Sequence, residues 1–531
     1  MRKQHIDSSR LMIISRICKT LTGFIILGLV AGIEPVLATV YFISPTGNDS
    51  NAGTQTSPWK TFRFAIFQLV PGDTLILLDG TYDSSNSGLP IFKNINGTAE
   101  KPITIKALNE RQAHIHNNGT AVSVSGTNCS YLIFEGLQAS GIDNPDSRIS
   151  GTGGAFDFRN SHHLTFKRLL LHHNNRYNNS HLLTLIRVTD SLVEESEFYY
   201  FHRHAVMTKP GSRNTFRRLY CHSRGYGNIP GGYKNEHGPQ GGAVCVSLYP
   251  GDNTIVENSI ADATTGSVFD IQASGPTPAD DNRFLGNISL NTQYGAVIKA
   301  RPEPGATALG MPKNNTVTDF VAIGVENVGI YLRGVRNQRC DHCMLLSNLS
   351  NAGLVVDVEP VAPGDGTYSF FMENSLSLSN GGPGFKIAPE IQTWSIVHAN
   401  SLWNRVNYVP SSGENYNVNK TVDPAIGRCR VWIPDNSPMK GAGTNGKDIG
   451  ANILYRYKDG ILTDVPLWDP SNGEFPHGAL VKGLNDVVGQ SLFDVHQRLN
   501  VNGNGCSFPI GYGKRGSDGK SPAQPTGLRA S

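Results

Sequence analysis

Apolar residues in this chain fall in short alternating runs bounded by Gly, Asn or Asp, and only one stretch repeats with helical spacing. The clearest run follows a glycine and recurs as Gly153-Gly-Ala-Phe-Asp-Phe158, Gly241-Gly-Ala-Val-Cys-Val246, Gly266-Ser-Val-Phe-Asp-Ile271, Gly295-Ala-Val-Ile-Lys-Ala300, Gly329-Ile-Tyr-Leu-Arg-Gly334, Gly353-Leu-Val-Val-Asp-Val358 and Gly384-Phe-Lys-Ile-Ala388. The last five glycines are 29, 34, 24 and 31 residues apart, a spacing that suits coils of a parallel β-helix with loops of variable size. A second run precedes each one, as in Asn253-Thr-Ile-Val-Glu-Asn258 and Asn282-Arg-Phe-Leu-Gly-Asn287. The offset from Asn258 to Gly266, and from Asn287 to Gly295, is eight in both cases. One coil of short strands cannot bury its apolar side alone. Parallel coils stacked in register bury alternate Val, Ile, Leu and Phe, and Asn side chains at the turns can bond from coil to coil. A β-propeller would need four strands per blade and periodic hairpin turns, which are not seen. The exception to the strand pattern is Lys60 to Val70, which predicts a short amphipathic helix closed by Pro71-Gly72 and covering the open end of the solenoid.

The first 38 residues read differently. Five Lys/Arg against two Asp/Glu, an apolar run from Leu21 to Ile33 and Pro35-Val36-Leu37-Ala38 predict a secretory signal peptide cut after Ala38. That run is too short to span a bilayer, and no later segment has the length and apolarity of a membrane helix. The predicted product is exported, to the periplasm or beyond the cell, with no membrane span after signal removal. Without the signal the chain carries 41 basic and 41 acidic residues, which gives no global grip on nucleic acid. Any attraction for an acidic polymer must come from a local cluster. Seven scattered cysteines remain, compatible with one or two disulfides, and Cys429 with Cys506 is one expected pairing. Cys340-Asp341-His342-Cys343 has half of a zinc-site spacing without a second CxxC, and a structural turn is expected there. The chain divides into a cap with first coils (39–120), coils (121–410), a C-terminal segment without readable period (411–513) and a polar tail (514–531) expected to be disordered.

Within the cap stand Tyr41-Phe-Ile-Ser44-Pro-Thr-Gly47-Asn-Asp49, Gly53-Thr54, Pro58-Trp-Lys60-Thr61, Pro71-Gly72-Asp73-Thr74 and Gly80-Thr81-Tyr82. Near the other end come Ser437-Pro-Met-Lys-Gly-Ala-Gly443 and Lys447-Asp448-Ile449-Gly450-Ala451. Together with the coils, these resemble bacterial secreted right-handed parallel β-helix proteins of the pectate-lyase-like superfamily. The resemblance implies an all-β, single-stranded right-handed solenoid with an N-terminal cap, and a polysaccharide as partner. That superfamily holds lyases, hydrolases, uronate epimerases and members without activity, so its architecture narrows the substrate class more than the reaction. The Asp-rich calcium-binding coil of one pectate lyase group and the Asp-Pro-His-Asp signature of alginate epimerases are both missing from the sequence.

Counting side-chain alternation from the glycine, Phe269, Ile271, Ile298, Leu332, Val356 and Val358 point inward. Asp270, Lys299, Arg333 and Asp357 then share one outward column, its members about 4.8 Å apart from coil to coil. Asp157 and Cys245 extend this column, and Arg301 projects two residues beyond Lys299. Cleavage of a uronate glycan by β-elimination needs a neutralised carboxylate, a base and an acid, so Lys299, Arg333 and Asp270 are the candidate catalytic residues. Arg301 and Asp357 are candidate substrate contacts. Tyr233, Lys234 and His237 join them, from the long segment Ser223–Gly241 that interrupts the repeat beside the column. A bound calcium ion is a possible cofactor. The alternative to a site is a solvent-exposed charge ladder. The functional expectation is a lyase acting on an acidic polysaccharide. Its competitors are a non-catalytic glycan-binding surface or matrix protein, a glycoside hydrolase and a uronate epimerase. The histidines of His162-His163, His172-His173 and His202-Arg-His204 are expected to be exposed polar residues, because neighbours on a strand point to opposite faces.

Overall fold

A computed structural model of the chain describes residues 38–117, 121–141, 154–174, 181–201, 203–222, 243–262, 264, 266–301, 310–349, 351–359, 368–391, 393–409, 416–417, 420–475 and 499–513. The signal segment, the tail and Tyr233, Lys234 and His237 lie outside these residues. Strands stack into three long parallel sheets, every neighbour in each sheet coming from the next coil. Sheet 1 has 14 strands, from Val40–Ile43 to Tyr416–Asn417. Sheet 2 has 12, from Ile91–Lys93 to Val406–Val409, and contains the glycine-led runs; sheet 3 has 12, from Gly80–Tyr82 to Asn400–Leu402. This is a right-handed parallel β-helix. No helix among the described residues is long and apolar enough to cross a membrane.

Alternation fills the interior. Phe269, Ile271, Ile298, Leu332 and Val356 lie in one continuous core, as predicted, with Val358 packed at its edge. Phe134 stacks on Phe166 at 5.4 Å and meets Phe156 and Phe158 edge-on, so aromatic rings fill the interior of the early coils. Asparagines at the turns tie coil to coil: the Thr254 N–H donates to Asn282 Oδ1 at 2.9 Å, and the Asn282 N–H to Asn315 Oδ1 at 2.8 Å. The predicted cap helix is present as Phe62–Gln68. Thr61 caps it by accepting from the Phe64 N–H, and Asp49 fixes Thr61 by accepting from its hydroxyl at 2.6 Å. Phe62, Ala65 and Ile66 are buried against the end of the core.

The C-terminal segment, unreadable as sequence, forms a second core along the outside of sheet 3. Val431, Trp432, Ile433, Ile449 and Trp468 pack there on Ile260, Ile288, Val321, Met344 and Leu376. Cys429 and Cys506 are bonded, as expected, and Cys221 is bonded to Cys245. Cys340 and Cys343 are free thiols buried in the main core, and His342 between them makes the strand-ending turn at φ 52°.

Candidate functional site

Sheet 2 presents its outward side chains in register. Lys299 pairs directly with Arg333, and Arg333 with Asp357, so these three form one outward column on consecutive coils. The register has a steric cause. A Cβ on Gly295 would stand 2.1 Å from the Gly329 oxygen, one on Gly329 2.7 Å from the Gly353 oxygen, and one on Gly353 2.6 Å from the Gly384 oxygen. Only glycine fits this column of close backbone approaches.

Gly266 does not belong to that column, and two expectations fail with it. Ser267 pairs with Tyr294, which puts Val268 opposite Gly295 and moves the first coil by two residues. A two-residue slip keeps the outward face but changes the neighbour. Asp270 therefore lies opposite Val297, in the column of Asp157, Thr184, Met207 and Ser247, and Gln272 takes its expected place beside Lys299. Cys245 is not in an outward column at all, since its sulfur turns into the core to meet Cys221.

Asp270 is also not exposed, at 1% of its surface. Its Oδ2 accepts from the Ser247 hydroxyl at 3.2 Å and from the Gln272 amide, and its Oδ1 is buried with no hydrogen-bond partner among the described residues. Burial pushes this carboxyl above the usual range, against the opposing pull of the Lys299 ammonium. Arg333 Nη2 donates to Glu359 Oε1 at 3.2 Å, and its Nε lies 3.0 Å from Oε2. Glu359 is buried, so the guanidinium is clamped from the protein side while about a third of it stays exposed. Arg301 is exposed beyond the strand and lies 5.9 Å over the Tyr249 ring. Burial raises the Tyr249 phenol, and burial with Asp357 nearby pushes Tyr331 up to about 12. Asp357 is half-buried and accepts from the Val358 N–H. Sequence reasoning missed Glu359, Tyr249 and Gln272; Glu359 lies past the strand end, where alternation no longer assigns a face.

Calcium does not fit these residues. It takes about six to eight oxygen ligands. Here the carboxylates alternate with cations: Glu359 is engaged by Arg333, and Asp270 neighbours Lys299.

A second polar cluster lies on the outside of sheet 3, and the expectation of exposed histidines fails for His172 and His204, while His202 lies outside the described residues. His116, Ser140, His172, Tyr199, His222 and Asp262 follow one another in register on successive coils, all at 8% exposure or less. His204 is buried as well, its Nδ1 2.9 Å from that of His181, whereas His162 and His163 are exposed. Adjacent histidines also meet instead of diverging. His163 and His173 sit at left-handed corners (φ 53° and 54°), where strand alternation ends, so their Nδ1 atoms approach those of His162 and His172 at 2.8 and 2.7 Å. Burial, then the neighbouring imidazoles, holds His172 well below the ordinary histidine range.

No family model matches the sequence. Over 72 residues the chain is 38% identical to the pectate lyase PEL9 of Emericella nidulans, a stretch that is 14% of this chain and 17% of that protein. The matched part thus spans about a sixth of the relative's length. Among solved structures, the PL6 family polysaccharide lyase from Pseudopedobacter saltans is 15% identical, covering 73% of this chain and 97% of its own, with a TM-score of 0.47. The pectate lyase Pel9A is 16% identical over 78% of this chain and 95% of its own, at 0.42. The GH136 lacto-N-biosidase from Eubacterium ramulus is 12% identical over 72% and 67%, also at 0.42.

Proposed function

We propose that this protein is exported and acts on an acidic, uronate-containing polysaccharide at the outward face of sheet 2, cleaving it by β-elimination. The observation that carries the reading is the pairing of Lys299 with Arg333 on one outward column, beside a buried carboxyl, Asp270, with one oxygen unpartnered among the described residues. The short stretch of identity with a protein named as a pectate lyase supports the substrate class.

In this reading Arg333 and Arg301 face the uronate carboxylate and stabilise the charge that grows on it as the adjacent proton leaves. Lys299 takes that proton. The carbon–oxygen bond to the leaving sugar breaks, a carbon–carbon double bond forms, and Asp270, whose carboxyl burial pushes above the usual range, supplies the proton to the departing oxygen. Hydrolysis by Asp270 with Asp357 is disfavoured. Three coils separate them, about 14 Å along the axis, beyond the roughly 6.5–9.5 Å of an inverting pair.

A second reading, glycan binding without turnover, is favoured by the Arg333–Glu359 pair, which cancels much of the positive charge at the column. Incubation with pectate, alginate and glycosaminoglycan panels separates the two. The ultraviolet absorbance of an unsaturated uronate product supports elimination, and retention of the polymer without product supports the second reading.

A further inference from the structure

We propose that His114, His116 and His172, on the outside of sheet 3, form a binding site for a divalent transition-metal ion of the zinc class. The site is separate from the sheet 2 column and stands whatever reaction occurs there.

The placement begins with the strand Ala113–His116. Ala113 and Ile115 enter the core, so His114 and His116, two residues apart, both face outward as a natural chelating pair. The third imidazole comes from two coils on, since His116 pairs with Ser140 and Ser140 with His172. The ring centres of His114 and His116 are 5.5 Å apart, and those of His114 and His172 also 5.5 Å. Imidazoles bound to one tetrahedral ion through nitrogens at about 2.0–2.1 Å have ring centres roughly 5 Å apart, so the two separations from His114 are already near those of bound imidazoles.

Two of the ring nitrogens converge as well. His114 Nε2 lies 2.7 Å and His116 Nδ1 2.8 Å from the same Ser140 hydroxyl oxygen. His172 is held from behind: its Nδ1 contacts His173 Nδ1 at 2.7 Å and its ring stacks on Tyr199 at 4.6 Å, leaving Nε2 beside the Gln138 amide at 2.9 Å. Such outer contacts fix tautomer and ring orientation in metal-binding histidines. Among the described residues no three ligating side chains yet enclose a single point. The His114 and His116 nitrogens meet on the Ser140 hydroxyl, and an ion takes its place there once that side chain rotates away and His172 Nε2 exchanges the Gln138 amide for the ion. Three imidazoles without thiolate select a borderline ion such as zinc or cobalt over calcium or magnesium. His114, only half-buried, marks the way in.

The test uses the full chain, treated with chelator and dialysed, then titrated with zinc chloride by calorimetry and with cobalt chloride by visible absorption. One equivalent of each ion is expected, cobalt giving the d–d bands of four-coordination. His116→Gln and His172→Gln should each weaken binding by at least about tenfold. Ser140→Ala, which removes the competing hydroxyl, should bind as well or better, and His163→Gln, in the exposed pair elsewhere, should change nothing. Circular dichroism checks each fold, and half-exposed His114→Gln serves if a buried variant does not fold. Absence of stoichiometric binding in the wild type, undiminished binding in the folded variants, or loss in His163→Gln overturns the proposal.

Discussion

Tyr457→Phe isolates what holds the C-terminal segment onto the solenoid. The hairpin formed by Tyr455–Lys458 and Ile461–Pro466 meets the corner between sheets 1 and 3. The Tyr457 N–H donates to Asn258 Oδ1 at 2.5 Å, the Asp459 and Gly460 N–H groups to Glu257 at 3.0 Å each, and the Tyr457 hydroxyl to Asp319 Oδ2 at 2.7 Å. Phenylalanine keeps the ring and removes only the last bond. Asp319 is buried, and burial pushes its carboxyl upward. A hydrogen bond to a charged group contributes about 1.5–3 kcal/mol, so the variant should lose about that much wherever Asp319 is ionised. Once Asp319 is protonated the bond becomes neutral and the loss should shrink toward about 1 kcal/mol. Urea unfolding followed by tryptophan fluorescence reads this directly, because Trp432 and Trp468 are both buried in the second core. A loss below about 0.5 kcal/mol, or one independent of pH, would refute the claim that this bond clamps the segment.

His342 should make stability fall on the alkaline side. Burial lowers its pKa, but Asp341 at 2.8 Å and Asp319 outweigh burial and the net shift is upward. The charged form is thus favoured by folding, so the contribution is complete below the unfolded value of about 6.5 and disappears as pH rises through the raised folded value; melting temperature against pH should show this in the wild type and not in His342→Gln. Gly295→Ala should cost about 1–3 kcal/mol in urea unfolding, since its methyl would strike the Gly329 oxygen; a neutral effect would contradict the close-approach column. Cys245→Ala should cost about 3 kcal/mol, as expected for a bridge closing 24 residues, with reductant lowering the wild type toward the variant.

The fold was legible because a solenoid repeats its instructions: alternation assigned Phe269, Ile298, Leu332 and Val356 to the core, and glycines forced by backbone contact set the register of Lys299, Arg333 and Asp357. Asp270 was misplaced because Gly266 looks like those glycines without making their contact. Corners were the weak point. A left-handed residue ends strand alternation, which hid the meeting of His172 with His173, and Glu359 lies past the end of its strand, Ala352–Asp357. The C-terminal segment has no period because it packs through turns on an already formed surface. Its trace was in the strands beneath it: Met344-Leu-Leu346 and Leu376-Ser-Leu378 are apolar on the outward side as well, which a solvent-facing strand would not be.

The decisive measurement is the rate of unsaturated-uronate formation by wild type and Lys299→Ala on whichever acidic glycan the wild type binds. The account predicts product with the wild type, none with a folded Lys299→Ala, and polymer still retained by the variant. Binding without product in the wild type, or equal rates for the two, would contradict it.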